Sequence, residues 1–100
     1  MKIVKFWVKG KVIKIETPWH TAERRMPSEW EEKLYLLIHP LTRKYGAEFC
    51  FLIKDVLDYP QIENEIKRFP AIQVDDKIVH QGDITLQELI DILENIKRME

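Results

Sequence analysis

The chain carries one thiol, Cys50, and three imidazoles, at His20, His39 and His80. A lone cysteine can form no internal disulfide, no dithiol redox pair and no multi-cysteine metal centre. Cys50 lies between Phe49 and Phe51 in an apolar run, where a thiol is a small hydrophobe and burial disfavours its ionised form. A structural role is expected for it. His20, Glu23 and His39 offer the nitrogen and oxygen donors that zinc or nickel accept, but no close ligand spacing of the i, i+4 kind fixes them. No metal and no cofactor is expected. An enzyme that handles thiols through Cys50, or works through His20 and Glu23, is the alternative these residues leave open. The sequence holds no glycine-rich phosphate loop, Gly-x-Ser-x-Gly elbow or His-Glu-x-x-His motif.

Binding chemistry is better represented than catalytic chemistry. Lys2, Lys5, Lys9, Lys11 and Lys14 all precede the first acid, Glu16, and with Phe6 and Trp7 among them they could contact phosphates and stack on bases. Against this, the formal net charge is −1, lysines on an exposed hairpin blunt edge pairing, and Phe6 and Trp7 are needed in the core. Nucleic acid is therefore the lesser alternative. Trp30 sits on an apolar helix stripe and is expected in the core. Trp19 lies on no periodic face, so it is the candidate contact anchor.

These residues sit on 100 positions and 12.1 kDa, enough for one domain over 1–100 and too little for two. Residues 2–8 are apolar on both parities, which predicts a central strand covered on both faces. A turn at Lys9-Gly10 and a second strand over 12–16 predict a basic hairpin, followed by a loop over 17–27 bounded by prolines; 11–27 is thus an inserted hairpin strand and loop. Ser28 with Glu31 forms a capping box that opens a helix. Trp30, Leu34, Leu37, Ile38, Leu41 and Tyr45 make its stripe, Pro40 interrupts it, and Gly46 is expected as a left-handed terminator. Residues 47–54 read as a buried parallel strand that puts Cys50 in the centre of the sheet. A short helix follows, carrying Ile62, Ile66 and Phe69 and ended by Pro70. Strands at 71–74 and 77–80 turn at Asp75-Asp76, Gly82 breaks the second, and Thr85 with Glu88 caps a terminal helix. The order is β(β)αβαββα: an α/β fold with a small mixed sheet and helices on both faces.

In that order, Arg68-Phe69-Pro70-Ala71-Ile72-Gln73-Val74, followed by Gly82 and a last helix, resembles the thioredoxin/glutaredoxin-like superfamily, and Pro40 matches the proline that kinks the first helix of that family. The resemblance covers nearly all of the chain except about 11–27. It implies a cis-proline at Pro70 and, beside Phe69, backbone that pairs with an extended peptide. The family oxidoreductases carry Cys-x-x-Cys or a lone cysteine at the start of the first helix. Here the equivalent positions are Glu32-Lys33-Leu34-Tyr35 if Pro40 sets the register, or His20-Thr21-Ala22-Glu23 if Pro18-Trp19 does. Neither register contains sulfur, so dithiol exchange is excluded chemically.

The expected function is a redox-inactive thioredoxin-like module that binds a protein partner or a second copy of itself. Its binding residues are Trp19, Phe69, Pro70 and Gly82. No apolar run approaches the roughly 18 residues of a membrane span, and lysines interrupt any signal-peptide core, so a cytoplasmic protein is expected. Usage rich in Ile, Lys and Glu leans toward a thermophilic source.

Overall fold

The computed structural model describes residues 1–99. Its elements are β1 (Lys2–Val8), β2 (Lys11–Glu16), β3 (Thr21–Met26), α1 (Trp30–Tyr45), β4 (Phe49–Asp55), α2 (Pro60–Glu63), β5 (Ala71–Val74), β6 (Lys77–Gln81) and α3 (Leu86–Arg98), with a 3₁₀ turn at Val56–Asp58. Four strands form a mixed sheet of order β4-β1-β5-β6, in which β1 runs parallel to β4 and antiparallel to β5. β1 is central, as its apolar residues on both parities require. Val4, Phe6 and Val8 point into the main core with Leu34, Leu41 and Tyr45 of α1 and Leu89 and Leu93 of α3. Trp7 points the other way, into a smaller cluster with Val56, Ile66 and Ala71, edged by Tyr59, Ile62 and Phe69.

Local chemistry explains most of the boundaries. At the start of α3, Thr85 Oγ1 accepts from the Glu88 N–H at 3.2 Å and the Glu88 carboxylate accepts from the Thr85 N–H at 3.3 Å, which completes the capping box. At α1 the expected box does not form among the described residues: the helix begins at Trp30 with Glu29 as its N-cap and no side-chain cap bond. Ser28 Oγ accepts from the Trp30 N–H at 3.2 Å, and the Glu31 N–H is taken by the Ser28 carbonyl instead of the hydroxyl. Pro40 lies inside α1, with an exposed ring. Asp75 takes φ 52° in the β5–β6 turn, where a short side chain tolerates left-handed backbone. Its carboxylate accepts from the Ile3 N–H at 3.1 Å, and that bond, with the Lys2 ammonium, holds the Asp75 pKa below the usual range.

Five further expectations need correction. The short helix expected to carry Ile62, Ile66 and Phe69 up to Pro70 covers Pro60–Glu63 alone, so Ile66 and Phe69 lie beyond it. Residues 21–26 are a strand, not loop: β3 pairs with β2 from Lys11↔Met26 to Glu16↔Thr21, and the charged run Glu23-Arg24-Arg25 at its centre breaks the alternation that would signal a strand. The hairpin expected between β1 and β2 is absent among the described residues, because β2 takes β3 as its partner instead; Gly10 between them is tightly packed, since a Cβ there would lie 2.7 Å from the Met26 carbonyl oxygen and 2.6 Å from Asp55 Oδ2. Gly46 has φ −61° and is not a left-handed terminator; what its missing side chain spares is the Thr42 carbonyl, 2.6 Å from where a Cβ would lie. β4 is an edge strand, since it pairs with β1 alone, and Cys50 is half-buried rather than central.

β2 and β3 thus form a two-stranded arm detached from the main sheet. The arm explains the molecule's extents of 59 × 25 × 22 Å and a radius of gyration of 15.9 Å, against about 13 Å for a compact chain of this length.

α1 and α3 are joined at the far side by one polar contact with a pH signature. Tyr45 Oη donates to Glu94 Oε1 at 2.6 Å, and burial together with that bond pushes the phenol up to about 12, while the bond holds the Glu94 carboxyl low. The phenol contribution is complete below the unfolded value near 10 and is lost as pH rises through about 12. The Glu94 contribution is complete above the ordinary glutamate value and is lost as pH falls through its lowered folded value. Tyrosinate absorbance should therefore show a step near 12 that disappears in Tyr45→Phe. A titration of that variant indistinguishable from the parent would refute the assignment.

Candidate functional site

The Phe69-Pro70 peptide bond is cis and precedes β5 directly. The segment leading to it is fastened from β6: Gln81 Oε1 accepts from the backbone N–H of Lys67 at 2.7 Å and of Arg68 at 3.3 Å. Gly82, at φ 98°, donates its N–H to the Pro70 carbonyl at 2.9 Å, a conformation a side chain would oppose. Held from both sides, Phe69 itself is half-buried, and its backbone N–H and carbonyl have no partner among the described residues. Two polar groups are thus left for an incoming strand.

A cleft of about 360 Å³ opens beside Phe69. Its other walls are Lys9, Gly10 and Lys11 at the root of the arm and Ser28, Glu29 and Trp30 at the start of α1. Phe69, Pro70 and Gly82, expected from the sequence as binding residues, lie together in the fold, and of the three only Phe69 lines the cleft. The arm root and Ser28 were not expected as walls. Their only sequence signal was the proline-bounded interruption before α1.

Three carboxylates, from the last residue of β4 to the end of α2, meet the arm root. Asp55 Oδ2 accepts from the Gly10 N–H at 3.1 Å, Asp58 accepts from Arg25 at 2.7 Å, and Glu63 pairs with Lys9. The Asp58 bond keeps Arg25 further toward its charged form. Opposed residues share a face of the arm: Ile13, Ile15, Ala22 and Met26 line one, with Lys11 and Arg24, while Val12 joins Lys14, Glu16, Glu23 and Arg25 on the other. Ile13 and Ile15 are 44% and 45% exposed, so this apolar face is uncovered.

Trp19 is 88% exposed at the arm tip, in a turn closed by Thr17 and His20. The six-residue strands carry it about 17 Å beyond the Lys11–Met26 pair, at ~3.3 Å per residue. Trp19 therefore does not join Phe69 and Pro70, and residues 17–27 do not cap the cleft. His20 and Glu23 lie on the arm and His39 on exposed α1. No group of three or more His, Cys, Asp or Glu side chains could hold a metal among the described residues. The N-terminal lysines do not converge: Lys2 pairs with Asp75 and Lys9 with Glu63, Lys5 lies on the sheet, and Lys11 and Lys14 take opposite faces of the arm. No described helix is long and apolar enough to cross a membrane.

No family model, curated protein or solved structure matches the chain.

Proposed function

We propose that this chain is a thioredoxin-like module without redox sulfur that binds extended protein segments at the Phe69 cleft and steadies them with the arm. The observation that carries the reading is the Phe69 backbone, without a partner among the described residues, in a residue that lines a cleft whose other wall is the root of an arm with an uncovered apolar face. An extended chain that pairs with Phe69 would find main-chain hydrogen bonds there and apolar contact on the arm. The fold resemblance is supported by the parallel β1–β4 pair bridged by α1, the antiparallel β5–β6 hairpin and Gly82 before α3. Cytoplasmic location belongs to the same proposal.

A second copy as the partner is favoured by the charge distribution. The arm, residues 11–26, holds four basic and two acidic residues, a charge of +2, which leaves 12 basic and 15 acidic residues, or −3, on the remainder. A basic arm and an acidic body attract across copies.

Paired baits separate the surfaces. The intact chain, an Ile13→Glu/Ile15→Glu variant and a Phe69→Ala variant are compared for retained proteins and for their own sedimentation over a concentration series. Partners lost from both variants support the joint cleft and arm. Equal retention and equal sedimentation by all three would sink the proposal.

A further inference from the structure

The face of the sheet opposite α1 and α3 is covered at one end only. α2 is a single turn, and beneath its edge lies a cavity of about 330 Å³, within the ~300–1,000 Å³ range of small-molecule sites. Three polar side chains enter it from three adjacent strands, and the register places Lys5 between Leu52 and Gln73 and Lys54 beside Trp7. Each of the three strands thus places one polar side chain on this face among mostly apolar neighbours.

Gln73 is the informative one. It is only 7% exposed, and its Oε1 accepts from the Trp7 indole N–H at 2.7 Å. An indole nitrogen only donates, so the amide orientation is fixed and Nε2 must occupy the other branch. Nε2 has no protein acceptor among the described residues, yet it is not sealed from solvent. Gln73 lines the cavity, so a bound acceptor can take this free donor in place of water. Half-buried Lys5 has no carboxylate within ion-pair distance among the described residues, and Lys54 meets no carboxylate there either: it reaches the Tyr59 hydroxyl at 3.5 Å and lies 5.5 Å from the centroid of the same ring. The walls are aromatic: Trp7 and Tyr59 meet edge to face, 5.4 Å between centroids and 79° between planes. One carboxylate, exposed Glu65, stands at the rim.

We infer that this cavity binds a small monoanion with a flat apolar body, of which an aromatic carboxylate is the simplest form. The ligand carboxylate takes charge-assisted bonds from Lys5 and Lys54 and a third from Gln73 Nε2, and its ring lies against Trp7 and Tyr59. Glu65 selects against a second negative charge. The inference is independent of the arm and of the Phe69 cleft.

The test is a two-dimensional amide NMR titration of the full chain with benzoate, and with benzamide as its uncharged counterpart. Benzoate should shift the Trp7 indole and Gln73 side-chain signals saturably, with benzamide about tenfold weaker or worse. Lys5→Met/Lys54→Met should lose about tenfold for benzoate, and Glu65→Gln should gain about twofold without touching the core. Non-saturating shifts, equal binding of benzamide, or shifts confined to residues around Phe69 would each overturn it. The benzoate and benzamide comparison decides the matter even if the double variant does not fold.

Discussion

Joining Lys11 to Met26 through an Asn-Gly turn, and so excising Val12–Arg25, should abolish partner binding and self-association while leaving the body folded. Lys11 and Met26 are already opposed in the β2–β3 ladder, and two residues are enough to close a hairpin there. The excised residues are exposed, apart from half-buried Ala22, and none belongs to either core cluster. Unfolding free energy should therefore change by no more than about 1 kcal/mol, as expected when no core contact is removed. The radius of gyration should fall from 15.9 Å toward the ~13 Å of a compact domain of about this length. Small-angle scattering and sedimentation velocity read both quantities. An excised chain that still associates like the parent would remove the arm from the proposed function, and one that unfolds would show that the arm is part of the core.

Phe6→Ala should do the opposite and cost the fold itself. Phe6 has no exposure, lies on the central strand opposite Ile53 and Ile72, and has its ring 6.4 Å from that of Phe51. Deleting the ring leaves a cavity beneath both long helices, and such truncations cost about 3–5 kcal/mol. Total stability of a domain this size is about 5–15 kcal/mol, so the variant should be marginal or unfolded at room temperature. Denaturant unfolding measures the loss. Ile15→Ser on the arm is the matched control, expected within about 0.5 kcal/mol of the parent. A Phe6→Ala loss below about 1 kcal/mol would contradict the placement of the main core.

The contrast between Phe6 and Ile15 shows what the sequence could disclose. Both are large apolar residues in strand-forming runs, and period-two patterning alone does not separate them. β1 was legible because both of its parities are apolar, and α1 and α3 because their stripes repeat at helical spacing. The Thr85 and Glu88 box was legible because it depends on four consecutive residues. β3 was not: Thr21 to Met26 has a run of three charges at its centre and becomes a strand only through β2. The edge position of β4 was hidden too, since an apolar parallel run reads alike at the centre and the rim of a sheet. The cleft was half legible. Phe69, Pro70 and Gly82 stand close in sequence, whereas Lys9 and Trp30 reach the same place only after the sheet has formed. Gln73 and Trp7, 66 positions apart, had no local signal beyond a polar residue in an apolar strand.

The three carboxylates at the arm root give the molecule an adjustable reach. Arg25–Asp58 and Lys9–Glu63 are exposed ion pairs, the kind that salt weakens over a Debye length of about 10 Å at 0.1 M. With both pairs formed the arm would be held in one direction, and the proposed docking would meet a surface already oriented, which lowers the entropy lost on binding. With the pairs screened, the tip with Trp19 would sweep a wider volume, so that its capture radius would grow while each captured partner would be held less firmly. Ionic strength would then trade the frequency of encounters against their lifetime.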